Sequence, residues 1–128
     1  MELKKQVCSL ELAKRIKELG VKQDSLCFYL DYEDIRGVRL VVDEWQDAKE
    51  YKTYSAYTVA ELGEMLPDYL TLNHNILQLD ILKIETDWVI NYRIGCAKAA
   101  SIGIRANTEA DARAKMLIYL IENKLINT

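Results

Sequence analysis

Ser101-Ile102-Gly103-Ile104-Arg105-Ala106-Asn107-Thr108-Glu109-Ala110-Asp111-Ala112-Arg113-Ala114-Lys115-Met116-Leu117-Ile118-Tyr119-Leu120-Ile121-Glu122-Asn123-Lys124-Leu125-Ile126 is the stretch that decides the fold. Ile102, Ile104 and Ala106 alternate with Gly103, Arg105 and Asn107, the period of two of a half-buried strand. Thr108 then stands where an N-cap belongs, and its hydroxyl can accept from a free first-turn amide. Glu109 and Asp111 put negative charge at the positive end of the helix dipole. Thr108 and Asp111 also have capping-box spacing. Beyond the cap, Ala110, Ala114, Leu117, Ile121 and Leu125 fall on one helical face, and Ile118 and Leu120 widen it. So wide an apolar surface belongs in a core, as a helix lying across a sheet, or in a homodimer seam. It is too short to span a bilayer, which takes about twenty apolar residues.

Composition sets the outer bounds. The length of 128 residues predicts one domain over 1–128. Half of the residues are hydrophobic, enough to build a core without staples. One Pro and five Gly argue against disorder. A net charge of −3 disfavours direct nucleic-acid binding, which needs a basic footprint. The odd set Cys8, Cys27 and Cys96, without a CxxC, reads as free thiols in a reducing compartment. The opening Met1-Glu2-Leu3-Lys4-Lys5 leads into a polar helix and not a signal peptide, so a cytoplasmic setting is expected.

Read in order, Ser9 is placed to cap a first helix carrying Leu10, Ala13, Ile16 and Leu19, with Gly20 as its stop. Leu26 to Tyr32 and Val38 to Trp45 alternate, and Asp34-Ile35-Arg36-Gly37 can turn the chain between them as a β-hairpin. Gln46 to Ala56 is polar and tyrosine-rich and reads as a long loop. Thr58 and Glu61 form a capping box for a helix that Pro67 ends. Ile76 to Glu85 alternates with a phase slip, which predicts a strand bulged near Ile81, or else a helix. Trp88 to Ile94 alternates cleanly. The expected order is α-β-β-α-β-β-β-α: an α+β fold with a mainly antiparallel sheet of about five strands and helices packed on one face.

Chemistry-bearing motifs are few. The single His74 lies between two asparagines in an expected loop, and no HExxH or Cys/His cluster accompanies it, so no metal or other cofactor is expected. No GxxxxGK, GxGxxG or GxSxG occurs. Asp31, Glu33, Asp34, Asp43, Glu44, Asp47 and Glu50 form an acidic belt that solvated turns would also produce. The uneven feature is aromatic: Phe28, Tyr29, Tyr32, Trp45, Tyr51, Tyr54 and Tyr57 crowd into the same segment. Tyr and Trp combine large contact area with a polar end, and both recur at binding hot spots.

Three stretches carry a resemblance. Cys8-Ser9-Leu10-Glu11-Leu12-Ala13-Lys14-Arg15, Thr58-Val59-Ala60-Glu61-Leu62-Gly63-Glu64-Met65-Leu66-Pro67 and Thr108 to Leu120 together resemble small uncharacterised proteins carried by phages and prophages of gut bacteria. Asp31 to Lys52 shares least in the likeness. The shared motifs are caps and core helices, so the resemblance implies an accessory role on a mobile element and transfers no functional residue. The leading expectation is a non-enzymatic module that binds a bacterial host protein and inhibits a defence system, through Tyr29, Tyr32, Trp45, Tyr51, Tyr54, Asp43 and Glu44. A second is an oligomeric sponge for a nucleotide-like molecule, with Arg39, Arg93 and Arg105 clamping phosphate. A third is a carboxylate-based enzyme.

Overall fold

A computed structural model describes residues 2–42, 51–95 and 102–128. Cys96 and the acidic and aromatic positions Asp43, Glu44, Trp45, Asp47 and Glu50 lie outside the described residues. The elements are α1 (Leu3–Gln6), α2 (Leu10–Glu18), β1 (Cys27–Asp31), β2 (Val38–Val42), β3 (Lys52–Ser55), α3 (Val59–Met65), β4 (Tyr69–Leu72), β5 (Asn75–Ile84), β6 (Asp87–Ile94), β7 (Ile102–Ala106) and α4 (Glu109–Glu122). The class is α+β and every strand pair is antiparallel. Two sheets replace the single one expected: β2-β1-β3 and β4-β5-β6-β7.

The strand count rises to seven among the described residues because two strands escape the hydrophobic pattern. Lys52–Ser55 falls inside the expected loop, yet it pairs with β1, Tyr29 opposite Tyr54. Tyr69–Leu72 is only four residues long and folds back onto β5 through Asn73-His74, both at positive φ (50° and 68°). That left-handed pair is the geometry of a two-residue hairpin turn, and it leaves His74 exposed at the tip. The bulge expected near Ile81 is absent from the ladder: β5 pairs with β6 without interruption from Leu77 opposite Ile94 to Ile84 opposite Asp87. Leu82 and Ile84 therefore do not switch faces. They point to the outer side of the sheet, 39% and 43% exposed.

The anchor stretch forms as its pattern predicts. In α4, Ala110, Ala112, Ala114, Met116, Leu117, Ile118 and Leu120 are buried. It packs on β6 and β7, with α2 and α3 against its flanks. Each large side chain so buried contributes about 1.5–3 kcal/mol of transfer free energy. This intrachain core occupies the face that could otherwise have formed a homodimer seam. Ile90, Tyr92, Ile102 and Ala106 lie on the strands that pack against α4, and the same cluster includes Leu77 of β5 and runs on to Ala13, Ile16, Tyr57 and Leu62. The helices thus cover one face of the four-stranded sheet, and α2 also reaches β3.

The helix ends explain themselves locally. Thr58 and Glu61 form the full capping box of α3. Thr108 Oγ1 accepts from the Asp111 amide at 3.1 Å, but the Asp111 carboxylate does not return the bond to Thr108. It instead accepts from the Ser9 amide at 2.7 Å, which clamps the start of α2 to the start of α4. Ser9 holds the N-cap position of α2 without using its hydroxyl. Gly20 (φ +88°) and Lys124 (φ +57°) both take the left-handed residue after a helix. At each, amides run back to Ile16 and Lys17 or to Leu120 and Ile121 in the Schellman pattern. No helix among the described residues is long and apolar enough to cross a membrane.

Candidate functional site

Of the expected binding residues, the strands of the three-stranded sheet carry Tyr29 and Tyr54 and orient them by alternation, and Tyr32 and Tyr51 flank its end. Tyr29 and Tyr54 share one face, the face that also carries Cys27 and Leu40. The Tyr29 hydroxyl donates to the Cys8 carbonyl at 2.7 Å, and burial pushes its pKa up to about 12. Tyr57 is fully buried, with its hydroxyl donating to the Lys22 carbonyl. Over the Tyr54 ring stand the ammonium groups of Lys17, 4.9 Å from the centroid, and Lys14, at 5.5 Å. Lys17 also donates to the Thr53 carbonyl at 2.8 Å, while Gln23 accepts from the Ser55 amide at 2.7 Å. These two side chains occupy two of the outward backbone groups of β3 and so partly cover an edge that would otherwise be open to another strand. Tyr29, Tyr54 and Tyr57 are thus engaged within the chain, Tyr57 fully buried and Tyr54 half-buried. The expected single tyrosine surface is divided.

What remains is the turn between β1 and β2, built from residues that read in sequence only as a turn. Tyr32 and Tyr51 meet edge to face, 5.0 Å between centroids and 70° between planes. The Arg36 guanidinium stacks 4.0 Å from the Tyr32 centroid and 5.6 Å from that of Tyr51. Asp34 grips it from the other side, accepting from Nη2 at 2.6 Å and from Nε at 3.0 Å. The side-chain bonds from Arg36 hold the Asp34 carboxyl below the usual carboxylate range, and Asp34 raises Arg36 in turn. Two further bonds fix the backbone: Asp31 accepts from the Glu33 amide at 2.9 Å and Asp34 from the Arg36 amide at 2.8 Å. Gly37, at φ +74°, lets Tyr32 donate to its carbonyl and close the loop. Lys52 pairs with Glu33 at 2.9 Å along the flank. Ile35 stands at the apex, fully exposed.

The acidic belt is thus partly neutralised in place, because Glu33 and Asp34 each carry a cation. Sequence reasoning overlooked Arg36 and Ile35 as site residues. The available signals were the Asp-x-Arg spacing, which suits a local bidentate pair, and an isoleucine where turn chemistry favours polar residues.

The arginines of the sponge expectation do not converge. Arg39 lies on β2, whereas Arg93 and Arg105 lie on the other sheet, paired with Asp80 at 3.0 Å and Asp87 at 2.8 Å. Two carboxylates do share a groove of about 420 Å³ between α2 and α4, floored by Leu12 and Ile118. They are Glu11 and Glu18, two helical turns or roughly 10 Å apart. Glu18 is bound to Arg15 at 3.2 Å. Cys8 is buried, and desolvation pushes its thiol up to about 12, which keeps it a neutral, poor nucleophile. Among the described residues no group of three His, Cys, Asp or Glu is placed to hold a metal ion. No family model matches this chain, and no curated protein or solved structure matches it.

Proposed function

We propose that this chain is a non-catalytic binding module that engages another protein through the tip of the β1–β2 hairpin. Ile35 is the apolar anchor, and Tyr32, Arg36 and Tyr51 are the collar that holds it out. The observation that carries this reading is the combination of full exposure at Ile35 with a loop fixed by an aromatic pair, a stacked guanidinium and a bidentate ion pair. Tyr and Arg are the side chains that concentrate binding energy at interfaces. A loop ordered before binding has less entropy to lose on docking.

The partner has an apolar socket with a basic rim. Positions 31 to 52 hold seven acidic residues against four basic ones, an imbalance equal to the whole net charge of −3. Such a segment speeds docking onto a positive surface. The resemblance to phage-borne accessory proteins suggests that the partner is a bacterial host protein, in the defence machinery, met in the host cytoplasm.

The test is affinity capture from bacterial lysate by the wild-type chain and by Ile35→Lys and Arg36→Ala, read by mass spectrometry. A protein retained by the wild type and lost from both variants, with circular dichroism unchanged, is the expected result. Equal capture by all three chains removes the hairpin tip from the interface.

A further inference from the structure

The outer face of the four-stranded sheet is the second unclaimed surface. Helices cover the side that carries Leu70, Leu77, Ile90 and Tyr92, so alternation turns the neighbours of those residues outward. Of the exposed large hydrophobic residues, Tyr69 (60%), Ile76 (66%), Leu82 and Ile84 all lie on this one face. Leu82 stands directly opposite the half-buried Val89. The exposed four form two clusters, Tyr69 with Ile76 and Leu82 with Ile84, on either side of Asp80, and exposed apolar side chains that share a face mark an interaction surface more strongly than ones scattered over the molecule.

The charges on this face point to what covers it. Its acids, Asp80 and Asp87, are each paired with a base on the same face, Arg93 and Arg105. The face is therefore electrically neutral on a chain of net charge −3. Two copies repel through their acidic segments but not here. Ile76 and Ile84 also sit four residues on either side of Asp80 along β5. A two-fold axis running between two such sheets and crossing β5 at Asp80 lays Ile76 of one copy over Ile84 of the other. The same operation joins the two Asp80–Arg93 pairs into a cluster of zero net charge. The four strands are 4, 10, 8 and 5 residues long, which at about 3.3 Å per residue and about 4.8 Å per strand gives a flat footprint on the order of 430 Å² before side-chain relief. That is about half of the roughly 800 Å² per partner of a standard stable interface, the size of a weak, concentration-dependent dimer.

We infer that this chain forms a two-fold dimer by packing the outer faces of two four-stranded sheets against each other. The inference is independent of the hairpin tip. Analytical ultracentrifugation of the full chain over roughly 1–100 µM, a range that brackets modest interfaces, should give a species of twice the 14.8 kDa chain mass. The double variant Ile76→Lys and Leu82→Lys should weaken association about a hundredfold, with unchanged circular dichroism, because both side chains are already exposed in the single copy. Ile35→Lys should leave the dimer intact. A wild-type chain that stays monomeric across the range overturns the inference. So does a dimer that survives the double variant, or one that Ile35→Lys dissolves.

Discussion

Replacing Glu61 by Ala should lower stability by about 3 kcal/mol, and the structure says why one partly exposed carboxylate counts for so much. Its Oε1 accepts from the Thr58 amide at 2.9 Å and from the Ser25 hydroxyl at 2.7 Å, and its Oε2 from the Leu26 amide at 3.1 Å. One side chain thus closes the capping box of α3 and ties it to the start of β1. Hydrogen bonds to a charged group contribute about 1.5–3 kcal/mol each when shielded. The bond at Leu26 is exposed, so it falls below that range, and the freed Leu26 amide can turn to water. The Thr58 amide is part-buried and loses its partner, a capping loss of about 1 kcal/mol. Glu61→Gln keeps one oxygen for Thr58 and Ser25, gives up the charge and turns an amide towards Leu26. It should cost about half as much as the alanine. Burial works to raise the Glu61 carboxyl, but these donors outweigh it and hold the group below its usual value of 4.5. A depressed carboxyl stabilises above its unfolded pKa and loses that contribution as pH falls through the folded one. The gap between wild type and Glu61→Gln should therefore be full near neutrality and close below 4.5. Urea denaturation followed by circular dichroism measures it. An alanine cost under about 0.5 kcal/mol, within the range of ordinary surface changes, would mean that these bonds do not hold α3 to β1. A glutamine as costly as the alanine, or a gap that persists in acid, would contradict the role given to the charge.

Two other consequences can be measured in the same assay. Lys124→Gly should stabilise the chain by about 0.5–1 kcal/mol, because the residue after α4 sits at φ +57° where α2 already uses Gly20; an unchanged midpoint would contradict the Schellman reading. Stability should also fall as pH rises above 9, since the folded chain keeps protons that the unfolded one releases. Cys8 moves from 9.0 to about 12, and Tyr29 and Tyr57 from 10.0 to about 12, each through burial. Each such group removes up to about 1.4 kcal/mol per pH unit within its window. Cys8→Ala should delay the onset to the tyrosine range near 10, and a chain equally stable at both ends of that window would oppose the assignment.

Local signals in the sequence reported local structure well. The capping box Thr58–Glu61, the Thr108 cap, the Gly20 stop and the Gly37 turn each depend on residues within one turn of one another. The wide apolar face of α4 announced its burial. What stayed hidden depends on pairing at a distance. Nothing in Lys52–Ser55 marks it as a strand until β1 lies beside it. The isoleucine and leucine after Ile81 suggested a flipped face only because apolar residues were assumed to point inward; Leu82 and Ile84 are outward and exposed. Asp111 read as the partner of Thr108, but the folded chain brings the Ser9 amide closer.

The candidate site divides in the same way. The crowding of tyrosines was visible, while the register that places Tyr29 opposite Tyr54 and gives both to the structure was not. The hairpin tip was visible as a turn. The aromatic pair beside it depends on Tyr51 returning next to Tyr32, after a stretch of chain whose length says nothing about where it ends.

Amide hydrogen exchange of the chain, alone and bound to a protein that the wild type captures, tests the proposed role most directly. Binding through the hairpin tip should protect residues 31–37 and 51–53, the tip and the strand end beside it, with α4 unchanged. Protection confined to the groove between α2 and α4, with residues 31–37 exchanging as in the free chain, would contradict it.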